Sequence, residues 1–159
     1  MKAQRTKDHI HVALDGSIGE STPLFIYPIQ DATEMVIDMT QVSYINSIGA
    51  KHWTYWVMKL PKNLSVKILN CPFVIVSQAN VVVGFMSPKM TIESFRMPYV
   101  CENCSFEDSL TAMRGRDYEY SGPGKPRYVK IQSDLPCPKC KELKFTPDFF
   151  IEKTFKFLT

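Results

Sequence analysis

The sequence has no apolar run long enough to cross a bilayer. Its longest, Asn80-Val81-Val82-Val83-Gly84-Phe85-Met86, falls well short of the roughly 20 residues a spanning helix needs. The basic start, Met1-Lys2-Ala3-Gln4-Arg5-Thr6-Lys7-Asp8, leads into no apolar stretch and does not read as a signal peptide. The expectation is a cytoplasmic protein with no membrane span. A strong charge of either sign is also lacking: 19 Lys and Arg stand against 16 Asp and Glu, for a net +3. Divided after Tyr99, the two parts carry balances of +2 and +1. Neither shows the basic excess that binding a phosphate backbone demands, so charge does not favour a nucleic-acid partner. Low-complexity tracts and internal repeats are missing. The three histidines, His9, His11 and His52, show no metal or triad spacing, and Glu20, Asp31 and Asp38 are scattered. With no paired carboxylates, no Ser–His–Asp arrangement and no glycine-rich phosphate loop, the expectation is that the chain is not an enzyme.

What is present suits a packed core. The chain has 159 residues, 45% hydrophobic and 22% charged. That fits one domain, or a domain of about 100 residues with a small module that needs a staple. Residues 9–14 read as a strand and Asp15-Gly16 as a turn. Ser21-Thr22-Pro23 reads as a helix start leading into 24–29. Met35-Val36-Ile37-Asp38-Met39 is a compact strand. Asn46 and Ser47 suit a helix N-cap, and Gly49, Trp53, Trp56, Val57 and Leu60 then follow one helix face until Pro61. Ile48, His52, Tyr55 and Lys59 fall on the opposite face. Residues 65–69 alternate as a strand. The β-branched stretch 72–85 favours strand by propensity, but its length points to a helix that buries Ile75, Ala79, Val82 and Val83. Residues 90–100 read as a strand, 114–128 as a hairpin or flexible loop, and 149–158 as a final helix or strand. This alternation implies an α/β sheet with helices packed on it.

Two Cys-x-x-Cys pairs, Cys101-Glu102-Asn103-Cys104 and Cys137-Pro138-Lys139-Cys140, carry the clearest chemistry. Two intervening residues let both thiolates of a pair converge on one ion, and two such knuckles complete a tetrahedron. A closed four-thiolate site has no open position for water and so implies a structural Zn2+ ion. The alternatives are another ion such as iron, an iron–sulfur cluster, two disulfides, or four free thiols. Cys71, beside Pro72 in apolar company, reads as a buried structural thiol. If the ribbon instead bound nucleic acid, Arg114, Arg116, Lys125, Arg127 and Lys130 would be the contacts.

The stretch Met35-Val36-Ile37-Asp38-Met39-Thr40-Gln41-Val42-Ser43-Tyr44-Ile45-Asn46-Ser47-Ile48-Gly49 resembles the signature of STAS domains, the anti-sigma factor antagonist fold. That signature is an apolar strand ending in Asp, a short turn, and Asp-Ser-x-Gly opening a helix. Leu14-Asp15-Gly16 and Val66-Lys67-Ile68-Leu69-Asn70 also fit, and the resemblance covers roughly residues 9 to 98. It implies a STAS-like mixed sheet over 1–98; the cysteine pairs add a zinc-ribbon module over 99–145, and the apolar pattern at the end a segment over 146–159 that docks back on the sheet. It further implies a non-enzymatic signalling module that docks an anti-sigma factor or a serine kinase. Ser47 would be the phosphorylation site, with Asn46, Ile48, Gly49, His52 and Tyr55 on the docking surface. Asn46 departs from the pattern, since it stands where the family has Asp and the charge beside the serine is lost. A small-ligand-binding role, known for some STAS relatives, is the remaining alternative.

Overall fold

In chain order the strands and helices are β1 (Lys2–Arg5), β2 (His9–Ile18), β3 (Glu34–Ile45), α1 (Ser47–Met58), β4 (Ser65–Leu69), β5 (Cys71–Pro72), α2 (Phe73–Val81), β6 (Met90–Ile92), β7 (Ser94–Cys101), β8 (Glu107–Met113), β9 (Tyr118–Glu119), β10 (Tyr128–Val129), β11 (Leu135–Pro136), β12 (Leu143–Pro147) and α3 (Ile151–Thr154). They come from a computed structural model that describes residues 1–158. Among the described residues the architecture is mixed α/β, with two larger sheets and three α-helices.

Period-two burial builds the first sheet, in the order β1-β2-β3-β4-β6. Ile10, Val12 and Leu14 of β2, Met35, Ile37 and Met39 of β3, and Val66 and Ile68 of β4 point into the core. β2, β3, β4 and β6 run parallel, and β1 joins β2 antiparallel at the edge. β1 is exposed at every residue and leaves no apolar pattern to read; backbone pairing with β2 holds it, together with the Arg5 guanidinium, which donates to the Pro28 carbonyl at 2.6 Å and to the Gln30 carbonyl. Two strands outrun their expected ends. β2 continues through Asp15-Gly16 to Ile18, absorbing the expected turn as shifts of register beside Gly16 at φ +70°. β3 continues past Met39 to Ile45 because it stays paired with that extension of β2.

Helix α1 forms as the spacing predicts. The Asn46 side chain accepts the Gly49 N–H at 2.7 Å, and Gly49, Trp53, Trp56 and Val57 are buried. The Trp53 indole donates to the Phe85 carbonyl at 2.9 Å, and its ring stacks on Phe85. Two helix expectations need correction. The segment after Pro23 makes only one 3-10 turn, Pro23–Ile26, which buries Leu24. Helix α2 stops at Val81, where Val82 turns to extended backbone. Its buried side chains are Ile75 and Val76, and Val83 is 96% exposed.

The expected single strand over 90–100 is two strands in two sheets. β6 closes the first sheet, and β7 is central to the second, ordered β11-β12-β7-β5 with β8 on the other side of β7. The sequence carries the sign of this switch. Apolar residues fall at even positions in Met90 and Ile92, then at odd positions in Phe95, Met97, Tyr99 and Cys101. A one-residue slip turns every later side chain to the opposite face, and it falls at Glu93-Ser94. The expected boundary at residue 98 lies inside β7. One contiguous core runs through both sheets.

The segment 114–128 takes the hairpin alternative, with β9 and β10 paired antiparallel, and forms a structured cover. Tyr118 is fully buried and donates its hydroxyl to the Ile92 carbonyl at 2.6 Å, while the Tyr120 hydroxyl accepts the Ile92 N–H at 2.7 Å. These two hydroxyls satisfy backbone groups on the outer edge of β6, which otherwise would stand as an open parallel edge. The C-terminal segment packs on α2 and β7. Asn80 donates to the Thr154 carbonyl at 2.7 Å and accepts the Phe157 N–H at 2.8 Å. Phe155 joins the rings of Phe95 and Tyr118, with centroids 5.4 and 5.7 Å away.

Candidate metal centre and the first turn of helix α1

The two Cys-x-x-Cys pairs fold into matching turns. In the first, the Cys101 N–H donates to the Phe106 carbonyl and the Ser105 N–H to the Cys101 carbonyl, both at 2.8 Å. In the second, the Cys137 N–H donates to the Glu142 carbonyl at 2.8 Å and the Lys141 N–H to the Cys137 carbonyl at 2.9 Å. The fifth residue of each turn, Ser105 and Lys141, takes positive φ, +53° and +67°. The first knuckle joins β7 to β8 and the second joins β11 to β12. Because β12 pairs with β7 at Phe145↔Cys101, the sheet brings the knuckles face to face.

Cys101 Sγ lies 3.6 Å from Cys140 Sγ, Cys104 Sγ lies 3.7 Å from Cys137 Sγ, and all four sulfurs lie within 4.8 Å of one another. Four sulfurs at the ~2.3 Å bond length of a zinc–thiolate tetrahedron stand about 3.8 Å apart along each edge. A disulfide would require about 2.05 Å. The four cysteines are thus positioned to hold a metal ion. Local donors prepare them for it. The Glu142 backbone N–H holds the Cys140 thiol down at about 6, and the Asn103 amide also donates to it, at 3.7 Å. Desolvation opposes ionisation of Cys137, but hydrogen bonds from the backbone N–H groups of Cys140 and Lys139 and from the Cys101 and Cys104 thiols together lower it. Desolvation pushes the Cys104 thiol up to about 12. A cluster this close does not hold four negative charges by itself; a bound metal cation would supply the missing field. Asn103 was not legible as a contributor, although its place inside the first knuckle is the signal that could have marked it. Cys71 is fully buried away from this cluster, and desolvation raises its thiol strongly.

At the other candidate site, Asn46, Ser47, Ile48 and Tyr55 are exposed, with Ile48 at 50% and Tyr55 at 54%. Asn46 spends its side-chain oxygen on the cap. The Ser47 side chain makes no hydrogen bond among the described residues. His52 is half-buried, its ring 5.9 Å from Phe25, and lines a groove with Phe25, Ile26, Tyr27, Tyr55 and Lys59. Gly49 differs from the others. It is buried, and a Cβ there would sit 2.2 Å from the Ile18 carbonyl oxygen, so it gives the helix room against β2 and does not face a partner.

Several basic side chains of the second half are committed internally. Arg114 bridges Glu93 at 3.0 Å and Glu119 at 2.6 Å, Arg116 pairs with Asp117 at 2.7 Å, and Arg127 donates to the Phe155 carbonyl at 3.1 Å. Lys130 lies over the Tyr128 ring, and Lys125 is exposed. Among the described residues, no helix is long and apolar enough to cross a membrane. Comparison with protein-family models, with curated proteins and with solved structures finds no match.

Proposed function

We propose that this chain is a non-enzymatic, cytoplasmic regulatory module of the anti-sigma factor antagonist type. In this reading it docks a protein partner, an anti-sigma factor or a serine kinase, through the surface around Ser47. The observation that carries the reading is the open first turn of α1. Asn46 does the capping, which leaves the neighbouring Ser47 hydroxyl exposed and uncommitted beside the exposed Ile48. A phosphate on Ser47 would meet free N–H groups and the positive end of the helix dipole, so the folded chain tolerates it. The same charge of about −2 would repel or be poorly solvated inside a docked apolar interface.

The four cysteines, in the same reading, hold a structural Zn2+ ion. Soft thiolates in a closed tetrahedron suit zinc and leave no position for a reactive water. The ion ties β7–β8 to β11–β12 and so fixes the module that covers the β6 edge. The docking test uses two variants. Wild type and Ser47→Ala are expected to capture the same partner from native cells, and Ser47→Asp to lose it. Equal capture by the Ala and Asp variants refutes the phosphoswitch.

A further inference from the structure

The four sulfurs differ in access. Cys101 and Cys137 are buried at 1% and 0% exposure, while Cys104 and Cys140 are only half-buried. Each short contact between the knuckles joins one of each kind: accessible Cys140 with buried Cys101 at 3.6 Å, and accessible Cys104 with buried Cys137 at 3.7 Å. We propose that Cys104 and Cys140 are modification sites for peroxides, with Cys137 and Cys101 as their resolving partners. Oxidation then ejects the bound ion and leaves two disulfides that bridge the knuckles. The inference rests on the reading of the four cysteines as a metal centre.

The electrons balance with a peroxide as oxidant. Cys104, which a bound cation would keep deprotonated, attacks one peroxide oxygen; an S–O bond forms, the O–O bond breaks, and the departing hydroxide takes a proton to become water. The Cys137 thiolate attacks the resulting sulfenic sulfur; an S–S bond forms, the S–O bond breaks, and a second hydroxide leaves and is protonated. Two thiolates have lost two electrons, and one peroxide has become two waters. Cys140 and Cys101 repeat the sequence with a second peroxide. Neutral disulfide sulfurs no longer hold a divalent cation. Closing a contact of 3.6 or 3.7 Å to bonding distance needs a movement of roughly 1.6 Å. The pairing has a structural consequence. Disulfides between knuckles keep β7–β8 covalently tied to β11–β12 after the ion leaves, whereas disulfides within each Cys-x-x-Cys would leave the β12–β7 pairing without a link between the knuckles.

The test titrates the full-length, zinc-loaded protein with hydrogen peroxide. Released zinc is read with a chelating dye and the disulfides by non-reducing peptide mapping. Cleavage after Glu102, Arg114 and Lys139 separates all four cysteines. One zinc released per two peroxides, with Cys104–Cys137 and Cys101–Cys140 linked peptides, is expected. Cys101–Cys104 and Cys137–Cys140 linkages overturn the proposal, as does conversion to sulfinic acid without disulfide. As a second readout, the oxidised, zinc-free chain should keep a cooperative thermal transition that the chelated, reduced chain loses. A purified chain that carries no zinc refutes the metal reading instead, and the same peptide map still decides the pairing.

Discussion

Gly49→Ala is the substitution whose sign separates a packing role from a helix-propensity role. Gly49 lies inside α1, where alanine ordinarily stabilises a helix by about 1 kcal/mol. Here the added Cβ would stand 2.2 Å from the Ile18 carbonyl oxygen, 2.7 Å from its carbon and 3.1 Å from the Gly19 Cα. All three are backbone atoms, and no side chain can swing aside. The helix start must therefore move by roughly 1 Å, an overpacking that costs about 3 kcal/mol. The shift also strains the Asn46 N–H bond to the same Ile18 carbonyl, 3.2 Å long, and the Asn46 cap, together about 1 kcal/mol. Set against the propensity gain, the net loss is about 3 kcal/mol. For a chain of this size that lowers Tm by roughly 6–12 °C. Urea unfolding should show a lower midpoint at unchanged slope. A Gly49→Ala protein as stable as wild type, or more so, refutes the close approach of α1 to β2.

Two further outcomes can be checked on the same instrument. Asn46→Ala should cost about 1 kcal/mol by leaving the Gly49 N–H without its acceptor, while Asn46→Asp keeps the acceptor, adds a favourable charge and should match wild type or slightly exceed it; equal loss in both variants would remove the cap from the account. The Lys67 ammonium, 2.6 Å from Glu34, lowers the Glu34 carboxyl first by hydrogen bonding, so the pair's stabilisation is present above the ordinary carboxylate pKa of about 4.3 and fades as pH falls through the lower folded value. The stability gap between wild type and Glu34→Gln should thus be a few tenths of a kcal/mol at pH 6, as for other exposed pairs, and close under acid; a gap that is constant down to pH 2 contradicts the pairing.

Patterns that one element states alone were legible. The face of α1 through Trp53, Trp56 and Val57 and the Cys-x-x-Cys pairs lie within single turns or helices, so spacing sufficed. What depended on distant partners was not. β1 buries no side chain, and the two-residue strands β9 and β10 are too short to carry a period. Tyr118 and Tyr120 sit in a stretch rich in charge and turns, and their role as caps on Ile92 appears only once β6 is seen to end the first sheet. Arg114 looked available until the fold brought Glu93 beside it. The parity change from Ile92 to Phe95 is a signal that a stricter count of alternation would have read as a switch of sheet.

The most direct test of the central claim, that Cys101, Cys104, Cys137 and Cys140 together hold one zinc ion, is zinc-edge X-ray absorption on the protein purified under reducing conditions. One zinc per chain with four sulfur scatterers at about 2.3 Å is the predicted result. Fewer than four sulfurs, nitrogen or oxygen in the first shell, or a chain free of metal would contradict it.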